Sequence, residues 1–213
     1  MKHFAWLIAL AFTINSARAE ILPLDTAIEK LQHEWATANY QTPEKDQEEV
    51  FKKLSEQAKQ VTMENPGKAE PLVWEAIIVS GYAKAKGGLG ALSLAKRSRD
   101  LLLEAEKINP QVLNGSIYTS LGSLYYKVPG WPLGFGDHKQ ARAYLGKALA
   151  INPDGIDPNY FYGDFLLKEG EYVQALAYFK KALNAPARPG REDADAGRKA
   201  DIQQGIKQAE KKL

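Results

Sequence analysis

The dipeptide Asn-Pro recurs at Asn65-Pro66, Asn109-Pro110 and Asn152-Pro153, spaced 44 and 43 residues apart. Each copy closes an amphipathic run: KLSEQAKQVTMENP, RDLLLEAEKINP and ARAYLGKALAINP. Proline disfavours helical backbone in the residue before it, so each Asn-Pro is expected to end a helix. A fourth run, ALAYFKKALNAP, ends at Pro186. One hairpin of two helices cannot bury its apolar stripe alone, but stacked hairpins can, and a fixed period of this length is the mark of such stacking. The chain is therefore expected to form one all-α domain, 20–213. Its hairpins fall at about 24–66, 71–110, 114–153 and 156–186, followed by a terminal helix at about 193–213.

The last two hairpins also match at a tighter period. Ala141, Ala148 and Leu149 recur 34 residues later as Ala175, Ala182 and Leu183, and Gly122 and Gly163 hold the matching place in the preceding helices. The stretch YFYGDFLLKEGEYVQALAYFKKALNAP and the preceding Tyr118, Leu121-Gly122, Tyr125, Ala141, Leu145, Ala148 and Pro153 resemble the tetratricopeptide repeat family. The unit from Pro71 to Pro110 matches in part: Trp74, Ile77, Ala105 and Pro110 fit, but Ile78 stands where the family has its small residue. In Leu24 to Pro66 only the period and the final proline survive. The resemblance implies antiparallel hairpins wound into a right-handed solenoid, with Gly or Ala where two helices cross.

The third hairpin is longer than the fourth. Its small residue precedes the first packing alanine by 19 residues, against 12 in the last unit, and the surplus falls in VPGWPLGFGD, Val128 to Asp137. The preceding unit has a comparable Gly-rich tip, AKAKGGLGALS. Prolines 129 and 132 and three glycines exclude helix from the loop. Asp137 is expected to cap the next helix, with Gln140 as its partner three residues on. Trp131 and Phe135 have two readings: apolar plugs folded against the neighbouring hairpin, or the lining of a ligand or partner groove. The run Leu121-Gly122, Tyr125, Pro129, Gly134-Phe135-Gly136-Asp137, Ala141-Arg142, Ala148-Leu149 resembles the periplasmic T component of tripartite ATP-independent periplasmic (TRAP) transporters. Such T components are commonly lipoproteins, whereas this chain has no cysteine to carry a lipid.

The N-terminus reads as a cleaved secretory signal peptide, 1–19. Lys2 supplies the positive end, Phe4 to Ile14 the apolar run, and Ala17-Arg18-Ala19 the cleavage site. The apolar run is too short to cross a hydrocarbon core of about 30 Å. The mature chain is thus expected in the periplasm or secreted, with no transmembrane segment. Zero cysteines exclude a disulfide framework, a thiolate nucleophile and a Cys-ligated metal. After cleavage 26 basic residues face 26 acidic ones, interleaved rather than clustered, which argues against a nucleic-acid partner.

Chemistry-bearing motifs are not found. His33-Glu34 begins like the zinc motif H-E-x-x-H, but Thr37 stands where the second histidine belongs, so no metal or other cofactor is expected. Gly88-Leu89-Gly90 and Gly134-Phe135-Gly136 follow no strand, and no phosphate loop or G-x-S-x-G elbow occurs. The expectation is a non-enzymatic adaptor or scaffold that binds a partner protein or peptide in the bacterial envelope. The alternatives are a small-ligand-binding accessory of a periplasmic transport system and an assembly factor for envelope complexes. In the tetratricopeptide family the first helix of each hairpin lines a concave groove. That implies Ser116, Thr119, Ser123, Tyr126 and Lys127 in one unit and Tyr160, Asp164, Leu167 and Lys168 in the next, joined by Trp131 and Phe135 of the loop. The terminal helix carries one thin apolar stripe, Ile202, Ile206 and Ala209, expected to cap the last hairpin, with docking on a partner as the alternative.

Overall fold

The computed structural model describes residues 22–213; the expected signal peptide lies outside the described residues. In chain order the helices are α1 (Leu24–Ala36), α2 (Glu44–Glu64), α3 (Ala69–Lys86), α4 (Gly88–Ile108), α5 (Ser116–Lys127), α6 (His138–Ile151), α7 (Ile156–Glu169), α8 (Tyr172–Leu183) and α9 (Glu192–Glu210). A π-helical turn, Thr37–Gln41, extends α1, and a 3-10 turn, Val112–Gly115, precedes α5. Among the described residues no strand forms; one isolated bridge joins Gly130 to Gly136.

The helix ends follow the proline logic. α2, α4 and α6 stop one residue before Asn65, Asn109 and Asn152, the asparagines of the three Asn-Pro pairs. Pro71 and Pro158 sit in the first turns of α3 and α7, where a missing N–H costs no helical hydrogen bond. α7 ends on Gly170, whose φ of 80° satisfies a left-handed helix terminus. Asp137 caps α6 as expected, its carboxylate accepting from the Gln140 amide at 3.0 Å.

Each helix packs on the next, so the core runs as three successive clusters rather than one centre. The first gathers Ile28, Leu31, Phe51, Leu54 and Ile78. The second gathers Val73, Leu102, Ile117, Leu121 and Ala148. The third gathers Leu145, Phe165, Leu166, Phe179 and Ile202. Gly122 and Gly163 stand at helix crossings: a Cβ on Gly122 would lie 2.5 Å from Cγ of Leu145, and one on Gly163 2.9 Å from Cδ1 of Phe179. The second hairpin, which lacks a small residue at position 78, uses Gly81 instead, and spends it on Phe51 of the preceding hairpin.

The two longer hairpins are lengthened by different means. α3 and α4 run to 18 and 21 residues, so the surplus is wound into helix with Gly87 alone between them. Between α5 and α6 it forms an ordered loop. The Gly136 amide donates to the Pro129 carbonyl at 2.9 Å, Gly134 to Gly130 at 3.0 Å, and Asp137 to Tyr125 at 2.8 Å. A Cβ on Gly136 would stand 1.9 Å from the Val128 carbonyl, so only glycine admits this fold-back.

α9 lies on α8 and α7 through Ile202 and Ala209, both fully buried, which is the capping role expected of the stripe. It also reaches α1 and the π-turn, a contact that no motif or spacing announces. His33 bonds Asp193 at 3.1 Å, and the Tyr40 hydroxyl donates to Asp201 at 3.3 Å. The ring of Tyr40 rests on Gly197, where a Cβ would come within 2.3 Å of the ring. The last helix thereby closes the array back onto its first.

Candidate functional site

The closed array surrounds a central cavity of about 1060 Å³, lined by α1, α3, α4, α5, α7 and α9 and the segments that join them. One wall is apolar: Trp35, Trp74, Ile77 and Leu113. Trp35 meets Trp74 edge-on at 6.3 Å between centroids. Leu113 and Asn114 both adopt left-handed backbone, φ of 52° and 50°, a strained pair that places them in this wall. A more polar stretch of the lining carries Tyr160 and Phe161 with Arg198 stacked over both rings, at 4.3 and 4.8 Å.

The same stretch carries an ion-pair network joining α7 to α9. Asp157 accepts from Arg188 Nη1 at 2.6 Å and from Arg198 Nε at 2.8 Å. Arg188 Nε also donates to Asp195 at 2.7 Å, and Arg198 Nη1 to Asp201 at 2.9 Å. Burial by itself would raise the Asp157 carboxyl, but Arg198 and Arg188 outweigh it and hold it well below the usual carboxylate range. Burial pushes the hydroxyls of Tyr40 and Tyr160 well up, against the opposing pull of Arg198.

The eight residues expected to bind a partner divide between three places. Ser123, Lys127 and Tyr160 line the cavity, as do Ser116 and Thr119. Tyr126, Asp164 and Lys168 are not part of the lining; they form a cluster of their own. The buried Tyr126 hydroxyl donates to Asp164 at 2.6 Å, Lys127 Nζ stands 3.3 Å from the same carboxylate, and Lys168 lies 5.3 Å over the Tyr126 ring. Burial, with Asp164 beside it, drives the Tyr126 hydroxyl well up. Burial lowers the Lys127 amine, with Asp164 opposing. Leu167 is half-buried on the third core cluster.

Trp131 and Phe135 part company. Phe135 is a plug, half-buried on the second core cluster, edge-on to Tyr125 at 5.5 Å and covered by Arg99 at 4.5 Å. Trp131 is 90% exposed, and on the same end Leu133 is 73% and Leu89 of α4 99% exposed. Gly134 of the loop packs on Leu92, one turn from Leu89, and Leu89 and Leu133 both reach the cavity rim.

Sequence reasoning missed the α9 side of the site: Arg188, Arg191, Arg198 and Asp201. Their pattern reads as a solvated polar helix, and only closure onto α1 turns it inward. His33 and His138 are each paired with one carboxylate, Asp193 and Glu169. No group of three or more metal-ligating side chains gathers among the described residues.

Residues 133–195 match the family model of the tetratricopeptide repeat, which covers the end of the loop, α6 to α8 and the start of α9. A thermophilic tetratricopeptide-repeat protein of Thermus thermophilus superposes with a TM-score of 0.57. The two share 14% identity over 88% of this chain and 98% of that one. Pseudomonas aeruginosa PilF shares 16% identity over 89% of this chain and 90% of its own, and superposes with a TM-score of only 0.36. No curated protein matches the chain. Residues 133–195 thus match the tetratricopeptide repeat, and the chain has the fold of a tetratricopeptide-repeat protein.

Proposed function

We propose that the chain is an exported, non-enzymatic adaptor of the bacterial envelope that docks a partner protein on its hairpin tips. The observation that carries this reading is the exposed apolar trio of Trp131, Leu133 and Leu89 on two neighbouring tips of a rigid scaffold. Exposed tryptophan on a framework that needs no ordering is the residue type that most often anchors an interface. Crosslinking in periplasm followed by mass spectrometry tests it. A stoichiometric protein captured by the native chain and lost with Trp131→Ala supports the adaptor; capture unchanged by that substitution contradicts the tip as the docking surface. N-terminal sequencing of the exported protein should begin at Glu20, and an intact Met1 contradicts cleavage.

A second reading, a small-ligand accessory of a periplasmic transport system, is favoured by the cavity. The volume suits a small-molecule site, and the lining sets an apolar wall beside charged and hydroxyl groups that would orient a ligand. Native mass spectrometry of the purified protein tests it: a retained small molecule supports it, and a ligand-free mass after saturation with periplasmic extract counts against it.

A further inference from the structure

The charge inside the ring is uneven. Lys84, Lys127, Arg188, Arg191 and Arg198 face the cavity, against Asp154, Asp157 and Asp201. Most of these are paired. Arg188 and Arg198 hold Asp157, Asp195 and Asp201, Lys127 holds Asp164, and Asp154 is held from outside by Lys181. Asp193, next to Arg191 along the helix, is turned to His33. Lys84, which is exposed, and Arg191 are the exceptions, and Arg191 is the half-buried one: among the described residues every other arginine has a carboxylate within 4.0 Å and Arg191 has none.

Arg191 lies 5.0 Å over the ring of Trp74, and its Nε is buried without a hydrogen-bond partner. The indole N–H of Trp74, itself 4% exposed, is also buried and unpartnered. Burial, with Arg188 nearby, lowers the Arg191 guanidinium from its ordinary value. Arg191 is half-buried and its terminal nitrogens donate to no side chain, so it is a partly desolvated cation without an ion pair, a costly state that an anion seated against those nitrogens relieves; Nε and the Trp74 indole N–H, closed to solvent, take no part in that contact. The wall next to this pair is apolar: Trp35, Ile77 and Leu113.

We propose that the cavity is the site of a free amphiphilic anion, an apolar body bearing one acidic group, with the acid at Arg191 and the body against Trp35, Trp74, Ile77 and Leu113. This rests on the small-ligand reading of the cavity. It names the chemical class by what the walls complement: net positive lining for the head and two tryptophans for the body.

Two fluorescent probes with one ring system test it: anilinonaphthalene sulfonate, which carries the anion, and N-phenylnaphthylamine, which lacks it. The sulfonate should bind one per chain, with energy transfer from the cavity tryptophans. Arg191→Gln should weaken it about tenfold or more, as loss of a charge-assisted hydrogen bond requires. The same substitution should leave the neutral probe within about twofold, and Trp131→Ala should change neither, because that side chain stands outside the cavity. If Arg191→Gln proves unstable, raising the salt concentration on the native chain should weaken the sulfonate and not the amine. Equal loss of both probes in Arg191→Gln, or no loss of either, overturns the anionic assignment while the cavity remains a site. Failure of both probes to bind the native chain overturns the cavity reading and the assignment with it.

Discussion

Replacing Asp157 with asparagine removes the hub of the network that fastens α9 to α7. The carboxylate receives two guanidiniums at 2.6 and 2.8 Å, and its side chain is 29% exposed. Removing one partner of a buried ion pair costs about 3–5 kcal/mol, chiefly because the remaining charge is stranded. Here each guanidinium keeps a second carboxylate, Asp195 for Arg188 and Asp201 for Arg198, and asparagine keeps an acceptor. The loss should therefore sit at the low end, about 3 kcal/mol. For a chain of this length about 2–4 °C accompanies each kcal/mol, so the thermal midpoint should fall by about 6–12 °C. Circular dichroism melts and urea titration at neutral pH measure it. The acid limb supplies a second readout. The folded carboxyl is held below its ordinary value, so its contribution is complete above the unfolded pKa of about 3.9 and is lost as pH falls below it. Native stability should drop steeply below about pH 4, and Asp157→Asn should flatten that limb. A loss under about 1 kcal/mol with an unchanged acid limb would refute the view that these pairs fasten α9 to α7.

Gly122→Ala should destabilise by about 1–3 kcal/mol in urea titration, because its Cβ meets Leu145 at 2.5 Å, and most of that should vanish in a Leu145→Ala background. Trp131→Ala should leave the melt within about 0.5 kcal/mol of native, while Phe135→Ala should cost about 2 kcal/mol, since only the second is packed. Gly136→Ala should expose the tip loop to proteolysis between positions 128 and 137, seen as a single nick by mass spectrometry. Deleting 193–213 should uncover Phe179 and Leu166 and lead to aggregation in light scattering; a monodisperse, equally stable truncation would contradict the capping role of α9.

Much of this architecture is written locally. Asn-Pro pairs end helices wherever they stand, because the steric restriction acts on one neighbouring residue. The 34-residue recurrence of Ala141, Ala148 and Leu149 places matching packing faces on α6 and α8 without reference to the rest of the chain. Gly122, Gly163 and the Asp137 cap are local in the same sense, and all three are found where the pattern puts them. The tip of the second hairpin is legible only as an excess of residues: two glycines fit a loop or a tight hinge, and packing of α3 against α4 decides for the hinge.

The site is different in kind. Nothing in REDADAGRKADIQQG distinguishes a solvated helix face from the wall of a cavity, because every polar residue there suits water. Arg198, Asp195 and Asp157 become buried partners only when α9 is laid across α7, 41 and 38 positions from Asp157 in the chain, and against α1 still farther away. The sequence by itself determined a stack of helical hairpins, their boundaries and the small residues at their crossings, since each depends on neighbours within one or two turns or one repeat. The tertiary structure alone decided that the stack closes into a ring, that Phe135 turns in while Trp131 turns out, and that Arg191 faces a cavity with no carboxylate to meet it. Those outcomes depend on the accumulated rotation of successive hairpins, which no single repeat encodes.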